Sequence, residues 1–177
     1  MKQRRYKKEY RIVTDVDPRT GRPREIAEYT GVYYRLPEGS PRRRAAPIGA
    51  CLALYWLAAL AYLRFARATG RCAYALLPFM LGLIPGAYGA MGLAVLARAP
   101  ERMTIVQRES GPGRLLRSAL GCGLFSALGA AGCAVYLSVA GRWGEGWFEP
   151  LLCAAASAAA WAAFALSRRL DRALVRA

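Results

Sequence analysis

The sequence of 177 residues contains no histidine, the side chain that most often serves as a general base or a metal ligand. Its serines therefore lack the usual activating partner. The only lysines, Lys2, Lys7 and Lys8, lie at the N-terminus, far from any serine in the sequence. The chain also lacks a Walker A loop, a dinucleotide-binding glycine motif, H-E-x-x-H and G-x-S-x-G. These absences predict a protein that is not an enzyme and that has no catalytic residues, no metal site and no cofactor.

Charged residues are missing from four apolar blocks, at about 46–63, 72–97, 118–141 and 150–167. At 1.5 Å per helical residue, each block can cross a hydrocarbon core about 30 Å thick, with the first and last near the lower limit. We therefore predict an all-α integral membrane protein, a bundle of four transmembrane helices. Because no ionisable residue falls within these blocks, a proton-coupled transporter is not favoured.

The five cysteines lie in or beside the apolar blocks and form no C-x-x-C pair. They are predicted to be small apolar core residues and not ligands of a metal. They are Cys51, Cys72, Cys122, Cys133 and Cys153.

The cationic residues are distributed asymmetrically between the two sides of the predicted membrane domain. Of the 26 Lys and Arg residues, 22 fall in segments 1–45, 98–117 and 168–177, and four fall in the two other loops. The positive-inside rule predicts a plasma-membrane protein with both termini cytoplasmic and the first span an uncleaved anchor. Trp143, Trp147 and Phe148 would then lie at the outer interface. The richness in Arg and Ala suggests a bacterial source.

Residues 1–45 are predicted to form a cytoplasmic basic segment with a β-hairpin, its strands at about 10–16 and 26–36. Apolar residues alternate with more polar ones in the first strand, β-branched and aromatic residues are frequent in the second, and "DPRTGRP" provides the turn. Tyr29, Tyr33 and Tyr34 are candidate contacts for a partner. The alternative is a loosely ordered basic arm. Nucleic acid is not favoured as a ligand, because no recognition motif accompanies the charge.

Two arginine clusters are predicted to contact anionic lipid at the cytoplasmic face. They are Arg42, Arg43 and Arg44, before the first span, and Arg168 and Arg169, after the last. Residues 168–177 are predicted to continue as a basic helical tail along the membrane surface.

Small residues four apart predict close helix packing in the second and third spans. This set comprises Gly82, Gly86, Ala90, Ala94, Gly123, Ala127 and Ala131. Pro78 and Pro85 are predicted to kink the second span, and they deprive the carbonyls of Tyr74 and Leu81 of their helical donors. A broken helix that binds a substrate is the alternative, and helix packing is favoured.

Glu145 and Glu149 are the carboxylates of the predicted outer loop, four residues apart beside two tryptophans. They could form a site. A solvated loop that balances the charge of Arg142 is favoured.

The function predicted from these features is that of a small non-catalytic membrane protein, either an accessory subunit or a self-associating bundle. Its partners would be the bilayer and a second copy or another membrane protein. A transporter or channel component acting as an oligomer is the alternative. A lipid-modifying membrane enzyme ranks last, because it would have to work without histidine and without buried carboxylates.

Overall fold

The computed structural model describes residues 10–16, 23–35 and 41–176 of the chain. The side chains at 15–16, 23–28, 41–42 and 176 lie outside this description. Within the described residues the helices are α1 (Pro41–Phe65), α2 (Ala73–Ala97), α3 (Ile105–Ser110), α4 (Pro112–Ala140), α5 (Trp143–Gly146) and α6 (Phe148–Ala173). The strands are β1 (Tyr10–Val16), β2 (Pro23–Tyr29), β3 (Tyr34–Arg35), β4 (Arg102–Met103) and β5 (Val175–Arg176).

Helices α1, α2, α4 and α6 are each long and apolar enough to cross a membrane. At 25 residues or more, each extends at least about 37 Å, which exceeds the hydrocarbon thickness. Large apolar side chains cover much of the outer surface of the bundle, as expected for contact with lipid. The chain is therefore a multi-pass membrane protein built as an all-α bundle, as the apolar blocks predicted.

The four long helices pack as a ring in which α2 contacts α4, α4 contacts α6, and α1 contacts both α6 and α2. The core has two parts. One part is aliphatic and surrounds Leu52, Leu96 and Leu170. The other contains Tyr55, Tyr62 and the smaller residues around them, including four of the five cysteines. All five cysteines are free thiols.

Strands β1 and β2 form an antiparallel hairpin in which Tyr10 pairs with Tyr29 and Val16 with Pro23. The first strand has the predicted bounds. The second differs: it begins at Pro23 and ends at Tyr29, whereas the prediction ran from 26 to 36. The strand ends there because the chain turns at Gly31, and the Tyr29 hydroxyl donates a hydrogen bond to the Val32 carbonyl at 3.1 Å.

A second, three-stranded sheet joins distant parts of the chain in the order β4-β3-β5. Strand β3 precedes α1, β4 follows α2 and β5 follows α6. The three strands therefore meet at one end of the bundle, which we call the sheet end. The opposite end, formed by residues 66–72 and 141–147, is the loop end. Residues 168–173 continue α6 as a helix, as predicted, but Leu170 is buried in the bundle core and does not lie on the membrane surface.

The small residues of α2 that face the bundle differ in part from the predicted set. Gly82 and Gly86 are buried and the buried line continues through Gly89 and Gly92, while Ala90 and Ala94 are exposed. A helix repeats every 3.6 residues, so a spacing of strictly four drifts off the contact face. Between residues 82 and 92 the buried line of α2 therefore consists of glycines.

On α4 the predicted residues also divide between the two faces. Gly123 is buried and lies against Trp161, whereas Ala127 and Ala131 are exposed. The closest approach occurs instead at Gly132, where an added Cβ would lie 2.8 Å from the Tyr74 carbonyl oxygen. That carbonyl is the one that Pro78 leaves without a helical donor. It therefore faces the backbone of α4.

Pro78 and Pro85 both lie inside α2, which continues through them as one helix. Near Pro85 the carbonyl that gains a partner from another helix is that of Gly82, one residue after the predicted Leu81. The Tyr55 hydroxyl donates to this oxygen at 2.9 Å.

Candidate functional site

The loop end contains a carboxylate that is completely buried. Glu149, in the first turn of α6, has no exposed surface. Its Oε1 accepts hydrogen bonds from the backbone N–H groups of Arg67 and Ala68, each at 2.8 Å. Its Oε2 accepts one from the backbone N–H of Thr69 at 2.8 Å and another from the Thr69 hydroxyl. Three successive N–H groups thus converge on one carboxylate, in the manner of a backbone anion site.

The backbone geometry at both sides of this contact explains why it forms. The chain leaves α1 at Phe65, and the Ala66 N–H still binds the Tyr62 carbonyl at 2.8 Å. The next three N–H groups bind Glu149. Glu149 is also placed favourably at the positive end of the α6 dipole. Gly146 allows the close approach, because a Cβ at that position would lie 2.7 Å from the Cβ of Ala68.

A short chain of polar groups continues from this carboxylate into the bundle. The hydroxyls of Thr69 and Tyr62 are 3.1 Å apart, and the Tyr62 hydroxyl lies 3.4 Å from the Cys133 thiol. Glu149, Thr69, Tyr62 and Cys133 are all fully buried, and we call them the loop-end cluster. The cluster joins α1, α4 and α6 through hydrogen bonds.

The interpretation of Glu149 as part of a solvated loop was therefore wrong. Only Glu145 fits it: this exposed carboxylate pairs with Arg142 at 2.5 Å. The hydrogen bond to Glu145 raises the pKa of the Arg142 guanidinium above its ordinary value. The two carboxylates thus differ completely in environment, although they are four residues apart in the sequence.

A second group of polar residues lies near the middle of the spanning helices, and we call it the central polar layer: Tyr55, Cys122, Ser126 and Ser157. The Cys122 thiol lies 3.5 Å from the Gly82 carbonyl oxygen that Tyr55 also binds. The Ser157 hydroxyl donates to the Gly123 carbonyl at 3.0 Å. The Ser126 hydroxyl is buried and makes no hydrogen bond of standard geometry with the described residues.

At the sheet end, Arg108 joins three segments of the chain. Its guanidinium binds Asp171 of α6 at 2.9 Å and lies over the ring of Tyr34, 4.6 Å from the centroid. Tyr34 is 5% exposed. It is thus an internal part of the joint between β3, α3 and α6, which differs from its predicted role as a contact for a partner.

The other two predicted tyrosines lie at the base of the hairpin. Tyr29 and Tyr33 are half-buried, and their rings pack edge to face with centroids 5.1 Å apart. The Tyr29 hydroxyl also accepts a hydrogen bond from the Ile105 backbone N–H at 3.4 Å. The hairpin is therefore held against α3.

The arginines predicted to contact lipid all belong to the sheet end. Arg43, Arg168 and Arg169 are exposed and Arg44 is half-buried. Arg42 lies in the first turn of α1, but its side chain is outside the described residues. Further exposed arginines surround them at 98, 102, 117 and 172.

Among the residues that the structure describes, no group of three or more Cys, Asp or Glu side chains is placed to hold a metal ion. Comparison of the chain with protein-family models, with curated proteins and with solved structures finds no match in any of the three. The functional argument therefore depends on the geometry of the chain itself.

Sequence reasoning missed the loop-end cluster and the joint at Arg108. A signal existed for Glu149, since it directly precedes Pro150 at a predicted helix start. No signal in the sequence identified residues 67–69 as its partner.

Proposed function

We propose that this chain is a non-catalytic membrane protein, an accessory subunit or self-associating bundle, that engages its partner at the sheet end. The observation that carries the proposal is the joint at Arg108, which fixes β3 and the base of the hairpin on the bundle. A two-stranded hairpin, which alone is only marginally stable in water, is thereby held at the sheet end, outside the spanning helices.

The use of the buried polar groups supports a structural role. Glu149 accepts four hydrogen bonds from residues 67–69, and Tyr55 and Ser157 each bind a backbone carbonyl of a neighbouring helix. Groups committed in this way stabilise the packing of the helices.

The proposal includes an orientation and a lipid contact. The sheet end carries most of the arginines, so it faces the cytoplasm of a bacterial plasma membrane under the positive-inside rule. Arg168 and Arg169 are exposed there and can bind anionic headgroups, which attract each such residue by about 1 kcal/mol.

The test is affinity purification of the tagged full chain from its native membrane in a mild detergent. We expect a stoichiometric protein partner or a homo-oligomer. The variant Arg108→Ala should reduce its recovery, while Arg142→Ala, which removes an exposed guanidinium from the loop end, should not. Recovery of a monomer alone, with native lipid retained, would contradict the proposal.

A transporter or channel component is the second candidate, and two observations favour it. Glu149 is an ionisable group inside the bundle, and the buried Ser126 hydroxyl lies in the central polar layer without a standard hydrogen bond among the described residues. Liposomes containing the purified protein would decide. Movement of ions or cationic dyes that Ser126→Ala alters, in a protein that still folds, supports transport and overturns the accessory role.

A further inference from the structure

We propose that strand β1 pairs antiparallel with β1 of a second copy, in a register centred on Val13, to form a four-stranded sheet. The inference rests on the proposed function, because it names a second copy of this chain as the partner. The four strands would run in the order β2-β1-β1-β2 across the two copies.

The first support is the exposure of β1. In the described residues β1 pairs with β2 alone, so its other edge has no strand beside it. Tyr10, Ile12 and Val13 are 38%, 69% and 36% exposed. An edge strand with exposed apolar residues is a template for pairing, and a hairpin of two strands is marginal in water.

The second support is the charge pattern of the strand. Arg11 and Asp15 are placed symmetrically, two positions on either side of Val13. In an antiparallel pair centred on Val13, position 11 of each copy is opposite position 15 of the other. A parallel pair in register would instead place arginine opposite arginine. Opposite charges at paired positions stabilise a sheet and like charges destabilise it.

The same alternation extends across the whole four-stranded sheet. Within one hairpin, position 11 pairs with Glu28 and position 15 pairs with Arg24. One row of the sheet would therefore carry Glu28 and Arg11 of one copy followed by Asp15 and Arg24 of the other. The charge in this row changes sign from each strand to the next. The two-fold axis generates a second row with the same alternation.

The third support is the fit of the exposed apolar residues. Residues of β1 alternate between the two faces, so Val13 of each copy meets its equivalent on one face. On the other face Ile12 is opposite Thr14 and diagonal to the second Ile12, within reach of long side chains. Pairing thus covers Ile12, the most exposed apolar residue among the described side chains of the hairpin.

The two-fold axis sets one geometric condition. It passes perpendicular to the sheet between the two Val13 residues. Both copies can lie in one membrane only when this axis is along the membrane normal. The four-stranded sheet must therefore lie parallel to the membrane surface.

The outer edge of β2 is a less suitable site. It has a symmetric register about Ile26, with Arg24 opposite Glu28, but the strand begins with Pro23, which has no N–H to donate. Pairing through β2 is thus the competing outcome that an experiment has to separate.

The first experiment places a single cysteine in the full chain and oxidises it in native membranes. Val13→Cys should give a disulfide-linked dimer, because paired Cα atoms are about 4.5–5.5 Å apart. Ile12→Cys is the matched control, since its copies are diagonal, about 7–8 Å apart, and should link poorly. The unmodified chain should not link, because four of its five native cysteines are buried and Cys51 lies within α1. Equal linking at 12 and 13, or linking through Ile26→Cys instead, would overturn the proposal.

The second experiment exchanges charges between two differently tagged copies. Each exchange is combined with the compensating exchange on β2, so that every hairpin keeps opposite charges at its own pairs. The double variants Arg11→Glu with Glu28→Arg, and Asp15→Arg with Arg24→Asp, should each weaken association by about tenfold, because two attractive pairs between the copies become repulsive. Co-expression of the two variants should restore it, since glutamate at 11 then faces arginine at 15, and the remaining Asp15 faces the remaining Arg11. Absence of this rescue, in variants that elute as folded protein, would overturn the β1 register.

Failure of this inference can be distinguished from failure of the proposed function. A dimer formed through another surface, or a different protein as stoichiometric partner, overturns the β1 pairing and leaves the accessory role standing. A monomer that moves ions or dyes in liposomes overturns both.

Discussion

The carboxylate of Glu149 binds both the backbone N–H and the hydroxyl of Thr69, a residue 80 positions earlier in the chain. With the N–H groups of Arg67 and Ala68, this contact closes the loop end of the bundle. It fixes the start of α6 relative to the end of α1. A buried carboxylate that accepts this many hydrogen bonds contributes to the specificity of the fold as well as to its stability.

Replacement of Glu149 by glutamine should destabilise the protein by at least about 2 kcal/mol. The amide turns one acceptor into a donor that faces N–H groups, and buried donors without an acceptor cost about 1–3 kcal/mol each. Thermal unfolding in detergent would measure the loss, which should appear as a lower Tm.

The matched control is Glu145→Gln. Its pair with Arg142 is exposed on both sides, so little change in Tm is expected. Equal effects of the two substitutions would show that the carboxylate of Glu149 does not hold the loop end.

The close approach of α2 and α4 predicts a sharp sensitivity at Gly132. Its added Cβ would lie 2.8 Å from the Tyr74 carbonyl oxygen and 2.9 Å from the Ala75 Cα, both of them backbone atoms that cannot rotate away. Gly132→Ala should therefore lower the free energy of unfolding by about 1–3 kcal/mol.

Gly113 provides the control in the same helix. A Cβ there meets the Arg108 carbonyl oxygen at an ordinary 3.5 Å, and alanine favours a helix over glycine by about 0.5–1 kcal/mol. Gly113→Ala should leave stability unchanged or raise it. If both alanine variants behave alike in thermal unfolding, the interpretation of the close approach at Gly132 is wrong.

Hydropathy predicted the four spans because a helix that crosses lipid must be long and apolar. The contact face within α2 was predicted only in part. Gly82 and Gly86 lie on that face, but the helical period carries it to Gly89 and Gly92 and leaves Ala90 and Ala94 outside. Glycines that touch a backbone look the same in a sequence as those that do not.

The joints at the two ends depend on partners that are far apart in the sequence. Strand β3 has two residues, so it has no periodicity to detect, and its neighbours lie some 68 and 141 positions later. Glu149 is buried because residues 67–69 offer unpaired N–H groups. Local propensity carries no information about such pairing.

Loss of the Arg108 side chain should loosen the sheet end without unfolding the bundle. Its salt bridge is partly exposed, so the direct contribution is only about 0–1 kcal/mol. Hydrogen exchange of residues 34–35 and 174–176 should nevertheless become faster in Arg108→Ala, because Tyr34 loses the guanidinium over its ring. Unchanged exchange at these residues would contradict the role assigned to the joint.

The Tyr55 hydroxyl should make a small but measurable contribution to helix packing. Tyr55→Phe removes the hydrogen bond to Gly82, and such bonds in membrane proteins are worth about 0.6 kcal/mol on average. Tyr88→Phe, at an exposed position, should have no effect on unfolding in detergent. A Tyr55→Phe variant as stable as the parent chain would show that the central polar layer does not contribute.

The charge asymmetry predicts the membrane orientation, and one cysteine added at a time can test this prediction. An impermeant thiol reagent applied to intact cells should label a cysteine at Trp143, in the loop end, and should label one at Glu109, in the sheet end, only after lysis. The reverse pattern would place the sheet end outside and would invert every assignment of sides.

The sheet β4-β3-β5 also sets an order of events during synthesis. Strand β3 is made before any spanning helix, whereas β5 emerges only after α6. Both edges of β3 are therefore paired only when all four spans have been made, and until then its unpaired N–H and C=O groups remain open to other strands. This small sheet can therefore be complete only after the last spanning helix has been made.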